Sequence, residues 1–205
     1  MKMKKKLPML ILSTMLIMAC MLPGMIPLKS EPAGPLPKME TDANTVIKVL
    51  SGQDWHYLQA LAQEKYTEAD SAKPGTLTYT VNITDNLPVY FVYGWCAVDE
   101  KTLQANYQHI EVKLYLNDDE LGKDVVQNLS YSTQDNLSCL DYGVLMSDWP
   151  DGEYKLKAVA TFKDKLNDGM SDYAAGDYIF EYNVTVNKQK EGAKAPSIPS
   201  LQSGI

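Results

Sequence analysis

Apolar and polar residues alternate with a period of two along most of the chain between residues 76 and 186. This alternation is typical of β-strands that bury one face and expose the other. Turn-forming residues separate the alternating runs, which favours antiparallel pairing of neighbours. The sequence therefore predicts a mainly β protein, an antiparallel β-sandwich of about seven strands: Thr76–Ile83, Val89–Val98, His109–Leu116, Val125–Tyr131, Ser138–Met146, Glu153–Phe162 and Tyr178–Val186.

Two other segments suggest helices. Between Asp54 and Asp70, apolar residues recur every three or four positions, which gives a helix with one apolar stripe: Trp55, Leu58, Leu61 and Ala62. Lys73-Pro74-Gly75 would end this helix. A second, shorter helix is predicted over Lys101–Gln108, and Val46–Leu50 is a short lead-in that fits either type of structure. We expect the first helix to pack on the sandwich.

The segment Trp149–Ala160 contains a tight turn followed by a strand. Asp151 and Gly152 favour the turn, and Tyr154, Leu156, Ala158 and Ala160 then alternate onto one face. This segment resembles the corner and penultimate strand of bacterial immunoglobulin-like and fibronectin type III-like domains. The resemblance implies an immunoglobulin-like sandwich with a tyrosine corner at Tyr154, and it bears on fold alone. An acidic loop, Lys163–Gly176, departs from that family's pattern.

The second predicted strand is apolar on both faces. Phe91, Tyr93 and Trp95 share one face, and Tyr90 and Val92 share the other. A sandwich strand normally has one solvated side, so the aromatic face is either covered or used for binding. We expect the apolar stripe of the first helix to cover it. The alternative is an exposed aromatic platform for sugar rings or for apolar side chains of a partner.

The N-terminus has the layout of an export signal, because a lysine-rich start precedes an apolar run that ends at Cys20. Ile17-Met18-Ala19-Cys20 resembles the lipobox of bacterial lipoproteins, although Met18 departs from the small residue usual there. The resemblance implies cleavage before Cys20 and attachment of lipid to its thiol. An uncleaved anchor and an ordinary cleaved signal are the alternatives. All three place the domain outside the cytoplasm, on the membrane in the first two cases.

These observations divide the chain into five segments. Proline-rich, polar stretches near both ends predict extended, solvated chain rather than packed structure. The predicted order is a signal peptide (1–19), a lipid-anchored flexible tether (20–45), a helical segment (46–73), a β-sandwich domain (74–187) and a disordered tail (188–205).

The charge of the chain argues against nucleic acid as a partner. The formal net charge is −7, and all 19 basic residues are lysine. An acidic surface repels phosphate backbones, and a chain without arginine lacks the bidentate fork that recognises guanine and phosphate. We therefore expect a protein, a glycan or another non-nucleic-acid partner.

The cysteines fit an exported protein. If Cys20 carries lipid, Cys96 and Cys139 remain as an even pair in an oxidising compartment. We favour a disulfide between them, and two separate buried thiols are the alternative.

Catalytic chemistry has little support in the sequence, because no nucleophile, zinc or phosphate-binding motif is present. Four oxygen-bearing residues of the acidic loop, Asp164, Asn167, Asp168 and Asp172, are a candidate calcium site, but their spacing does not match an EF-hand. A solvated acidic loop is the alternative, and no other cofactor is predicted. The function that fits best is a non-catalytic binding or structural module of a membrane lipoprotein. A glycan-binding module or an accessory subunit of an exported enzyme complex is the alternative.

Overall fold

A computed structural model of the chain describes residues 34–63 and 65–188. The predicted signal peptide, the lipidation site Cys20 and the predicted tail beyond residue 188 lie outside these residues. Within the described part, no helix combines the length and the apolar character that crossing a bilayer would require.

The described residues form four helices and twelve strands. The helices are α1 (Ala43–Leu50), α2 (Leu58–Leu61), α3 (Glu68–Ser71) and α4 (Glu100–Tyr107). The strands are β1 (Lys38–Met39), β2 (His56–Tyr57), β3 (Gly75–Ile83), β4 (Val89–Ala97), β5 (Ile110–Leu116), β6 (Asp119–Glu120), β7 (Gln127–Ser132), β8 (Ser138–Ser147), β9 (Gly152–Phe162), β10 (Leu166–Asn167), β11 (Asp172–Tyr173) and β12 (Gly176–Val186).

Ten of these strands form two five-stranded sheets. In the first sheet the order is β1-β8-β4-β2, and β7 also pairs with β8. The second sheet has the order β3-β12-β9-β5-β6, while β10 and β11 form a separate hairpin. Each of the seven predicted strand segments forms a strand here, with ends that shift by at most two residues.

The sheets pack face to face around an aromatic core. Phe91 contacts Tyr182 with ring centroids 5.9 Å apart, and Trp95 contacts Phe162 at 5.1 Å. In each pair the first ring comes from β4 and the second from the opposite sheet. Edge-to-face contacts of this kind stabilise a core beyond the area that they bury.

The all-antiparallel arrangement predicted from the sequence is wrong, because the sheets are mixed. Strand β12 pairs in parallel with β3 over nine residues, and β2 pairs in parallel with β4. Parallel neighbours need a long connection between them, and nearly the whole domain lies between β3 and β12. Turn signals predict only the pairing of strands that a short turn joins, so they could not reveal this pair.

The single helix predicted over Asp54–Asp70 is also wrong. Residues 56–57 are extended in β2, and only the short helices α2 and α3 follow. The apolar stripe serves two different surfaces: Trp55 contacts Tyr90 at 6.2 Å, whereas Leu58 lies buried in the core between the sheets. The helical spacing of these apolar residues is therefore coincidental, because they pack into two separate cores. The shorter helix predicted over Lys101–Gln108 is confirmed as α4.

Part of the predicted flexible tether is ordered. Lys38 and Met39 pair with Ser147 and Met146 in β8. The helix α1 then starts at Ala43, where the Asp42 side chain caps it by accepting hydrogen bonds from two backbone amides. The prolines nearby masked this strand and cap in the sequence.

A disulfide joins Cys96 in β4 to Cys139 in β8, which agrees with the pairing expected from the sequence. The two residues face each other across the antiparallel pair. We predict that the double substitution Cys96→Ala/Cys139→Ala lowers the free energy of unfolding by about 4 kcal/mol, because the bridge closes a long loop in the unfolded chain. Urea denaturation measures this difference, and an unchanged midpoint would contradict it.

Candidate functional site

The outer face of the first sheet, on the side away from the core, is only partly covered. Its middle is formed by alternate residues of β4, β8 and β7. Helix α1 packs over one end of this face through Val46, which is fully buried against Tyr90 and Leu145. A groove of about 490 Å³ lies beside the C-terminal end of this helix.

This groove contains Asp141 and is named the Asp141 groove. Its residues are Ile47, Leu50, Ser51, Trp55, Tyr57, Asn128, Leu129, Ser130, Tyr131 and Asp141. Only 5% of the surface of Asp141 is exposed. Its one hydrogen bond to a described side chain is long, 3.4 Å from the Tyr131 hydroxyl to Oδ1. The second carboxylate oxygen, Oδ2, accepts no hydrogen bond from the described residues.

Glycine opposite Asp141 makes room for the carboxylate. Gly94 faces Asp141 across the β4–β8 pair, and a Cβ at Gly94 would lie 2.5 Å from Oδ1 of Asp141. Two residues further along β8, a Cβ at Gly143 would overlap the Tyr90 ring. The Tyr90 hydroxyl is buried there and has no hydrogen-bond partner among the described residues. The floor of this face therefore holds two polar groups with few hydrogen bonds to the described residues. They are the Asp141 carboxylate and the Tyr90 hydroxyl.

Aromatic rings border the Asp141 groove. Trp55 meets Tyr57 edge to face with centroids 4.6 Å apart, and its Nε1 donates a 3.1 Å hydrogen bond to the Gly52 carbonyl. Tyr57 and Tyr131 are 41% and 44% exposed, so part of each ring faces solvent. A buried carboxylate below exposed rings is the combination that recognises organic cations.

Burial shifts the acidities of the groove. Desolvation raises the pKa of Asp141 to about 6, and the Tyr131 hydrogen bond offsets this only in part. Burial, with the nearby Asp141 charge second, raises the pKa of Tyr131 to about 12 and shifts the pKa of Tyr57 in the same direction. Asp141 is therefore an anion at neutral pH, but one whose charge the surroundings disfavour.

The charge in the groove comes from a single side chain. Among its described lining residues, Asp141 is the one carboxylate, and lysine, histidine and cysteine are absent. A bound cation would supply the positive charge with which this carboxylate can pair.

The aromatic residues singled out in the sequence belong to the core. Phe91 is fully buried, Trp95 is 8% exposed, and Tyr93 is half-buried against Phe180. The second sheet covers this face together with Leu58 and Leu61 of the predicted stripe, which pack in the same core as Phe91. The expectation is wrong for Trp55, which lies on the opposite face of β4. The buried rings Phe91 and Trp95 therefore do not form the exposed platform considered as the alternative.

The candidate calcium residues are engaged by neighbouring side chains and by the loop itself. Asp164 pairs with His109 at 2.7 Å, and Asp172 accepts hydrogen bonds from Lys165 and Asn167. Asp168 accepts from two backbone amides of its own turn. Among the described residues, no group of three or more histidine, cysteine, aspartate or glutamate side chains is arranged to hold a metal ion. The predicted solvated loop contains the β10–β11 hairpin, with Leu166 buried.

Asp141 is the functional candidate that sequence reasoning missed. An aspartate in the middle of the apolar strand Ser138–Met146 was a usable signal, because carboxylates are rarely buried without a reason. Its aromatic neighbours Trp55 and Tyr57 could not be found in this way, since they are distant from it in the chain.

Comparison with known proteins adds no argument on function. No family model and no curated protein sequence matches the chain. Among solved structures, PbICP-C in complex with falcipain-2 is similar to 66% of this chain over its whole length, with a TM-score of 0.35 and 9% identity. The cysteine protease inhibitor EhICP2 from Entamoeba histolytica has the same coverage, a TM-score of 0.25 and 6% identity. Amebosin covers 55% of this chain and 96% of its own, with a TM-score of 0.22 and 15% identity.

Proposed function

We propose that this chain is an exported, lipid-anchored and non-catalytic binding module that recognises a cationic group of its partner in the Asp141 groove. The observation that carries this proposal is the Asp141 carboxylate, which is 5% exposed and has one long hydrogen bond to a side chain. An ion that is both desolvated and poorly paired destabilises a fold, so a binding role explains its presence. The exposed Tyr57 and Tyr131 rings add cation–π attraction for the same group.

A lysine side chain is the cation that we would test first. The probe is Nα-acetyl-lysine methylamide, and its neutral control is Nα-acetyl-norleucine methylamide, which has nearly the same shape. Amide chemical shifts around Asp141 should move with the lysine probe and not with the norleucine control. Because the pKa of Asp141 is about 6, the affinity should fall about tenfold between pH 7.5 and pH 5, where most of the carboxyl is protonated. Equal binding of both probes would contradict the proposal.

Glycan binding is the second candidate, because an open groove with exposed rings and a carboxylate also suits sugar rings and hydroxyl groups. Titration with a neutral oligosaccharide such as chitotriose separates the two functions. Sugar binding that is unaffected by removal of the Asp141 charge would favour the glycan.

The immunoglobulin-like character of the sandwich is also part of the proposal. The Tyr154 hydroxyl donates a 2.9 Å hydrogen bond to the carbonyl of Pro150, four residues upstream, as a tyrosine corner does. Trp149 packs edge to face on the same ring at 5.3 Å. These contacts support the family resemblance, whereas the parallel β3–β12 pair differs from an all-antiparallel sandwich.

Lipid attachment at Cys20 makes a separate prediction. The mature protein should begin at Cys20 and carry added diacylglycerol mass, which intact-mass analysis of membrane-extracted protein measures. A Cys20→Ala variant should lose the membrane anchor, whereas Cys139→Ala should keep it. Normal anchoring of Cys20→Ala would contradict this part of the account.

A further inference from the structure

Strand β4 has a free edge along its second half. On one side it pairs with β8 over nine residues. On the other side, β2 pairs only with Val89 and Tyr90, and the next backbone contact is the 2.8 Å hydrogen bond from the Val98 amide to the Asp168 carbonyl. Between these two points the described residues provide no strand that pairs with β4.

The register identifies which backbone groups face this edge. Cys96 and Cys139 are a directly opposed pair with Cα atoms 4.1 Å apart. So close a spacing marks the type of pair whose backbone groups do not bond each other but point outward. By alternation, the amide and carbonyl groups of Val92, Gly94 and Cys96 all point to the free edge. None of them forms a hydrogen bond with another described residue.

The corresponding edge of the second sheet is protected, which makes the open edge of β4 notable. Along β3, Ala62 forms a bridge with Val81, and the Gln63 amide donates to the Thr80 carbonyl. The Tyr66 hydroxyl accepts a further hydrogen bond from the Thr78 amide. Residues 34–63 and 65–188 provide no such cover for the segment Phe91–Ala97. This segment also contains none of the charges or prolines that usually protect an edge from pairing.

The free edge borders an open cleft of about 570 Å³ between the two sheets. Tyr93, Phe180 and Tyr182 line its inner wall, and Met170, which is 59% exposed, stands at its rim. A strand added beside β4 would direct every second side chain into this aromatic cleft. Its backbone would meet the free groups of Val92, Gly94 and Cys96.

We propose that β4 accepts an extended segment of a partner protein as an additional strand along Phe91–Ala97, with apolar side chains at alternate positions in the aromatic cleft. Main-chain pairing would provide affinity and the cleft would provide selectivity. A flexible segment fits better than a second copy of this chain, because β2 and the Asp168 backbone close the slot at both ends. This proposal does not depend on cation binding at Asp141.

The test uses the neutral peptide acetyl-Thr-Leu-Gln-Leu-Thr-Leu-Gln-amide and the folded chain without its signal segment. Binding should slow hydrogen exchange of the Val92, Gly94 and Cys96 amides about tenfold or more. Two modified peptides provide the control, one N-methylated at the leucine amides and the other at the remaining amides. Only one of them should lose binding, because alternate amides of a strand point to opposite sides.

Several outcomes would overturn the proposal. These are the absence of binding at millimolar peptide, equal behaviour of the two N-methylated peptides, and protection of other amides instead. Concentration-dependent protection of the same amides without peptide would show that a second copy is the occupant. The neutral peptide should bind equally at pH 7.5 and pH 5, whereas the lysine probe should not, which separates failure here from failure of the cation proposal.

Discussion

The Asp141→Asn variant should be more stable than the wild type at pH 8 and should no longer bind the lysine probe. Burial raises the pKa of Asp141 from 3.8 to about 6, so the folded protein binds a proton more tightly than the unfolded chain does. Stability from this group is therefore fully present below pH 4 and is lost as the pH rises through 6. Asparagine keeps the acceptor for Tyr131 without the charge, and the gain at pH 8 should be about 2–3 kcal/mol.

Thermal or urea unfolding at pH 8 and pH 4 measures this effect. At the lower pH the variant and the wild type should have similar stability, since both carry a neutral side chain at position 141. The matched control is Asp119→Asn, because Asp119 is exposed in the short strand β6. A variant that is less stable at pH 8 would contradict the account. It would mean that the ionised carboxylate stabilises the fold.

The Phe91→Ala variant should lose about 3–5 kcal/mol of unfolding free energy. Phe91 is fully buried between the sheets and contacts Tyr182, so its removal leaves a cavity that the two sheets cannot readily close. Tyr131→Ala is the matched control, because this ring is 44% exposed. Its loss should change the free energy of unfolding by less than about 1 kcal/mol and should weaken binding of the lysine probe.

Urea denaturation of both variants decides the point. Equal stability of Phe91→Ala and wild type would show that this face of β4 is not part of the core. It would then favour the alternative of an exposed aromatic platform. A large loss of stability in Tyr131→Ala would show instead that the rim of the Asp141 groove is structural.

The strands were predictable because one physical rule governs them. A strand that buries every second residue has apolar residues at alternate positions, as in Glu153–Phe162. Buried and less buried residues alternate in this way along strand β9. The helix expected over Lys101–Gln108 also forms, as α4, and Asp99 caps its start by accepting a hydrogen bond from the Thr102 amide. These elements depend on local sequence alone.

The single helix and the all-antiparallel sheet were wrongly predicted for a different reason. Both depend on contacts between distant parts of the chain. Trp55 and Leu58 look like one stripe, but they enter separate cores on opposite sides of β4. The amino-acid pattern of β3 and of β12 likewise does not indicate that the two strands pair in parallel. The Asp141 groove is assembled from α1, β7, β8 and the Trp55 segment, so its chemistry emerges only when these elements meet.

If Asp141 is a desolvated anion that binds a cation, its pKa should respond to that cation, and measuring this pKa is the most direct test. Carbon-detected NMR titration of the carboxyl group should give a pKa of about 6 in the free protein. Saturation with Nα-acetyl-lysine methylamide should lower that pKa, because a bound ammonium stabilises the carboxylate, and the norleucine control should leave it unchanged. A pKa near 4 in the free protein, or one that the lysine probe does not move, would contradict the account.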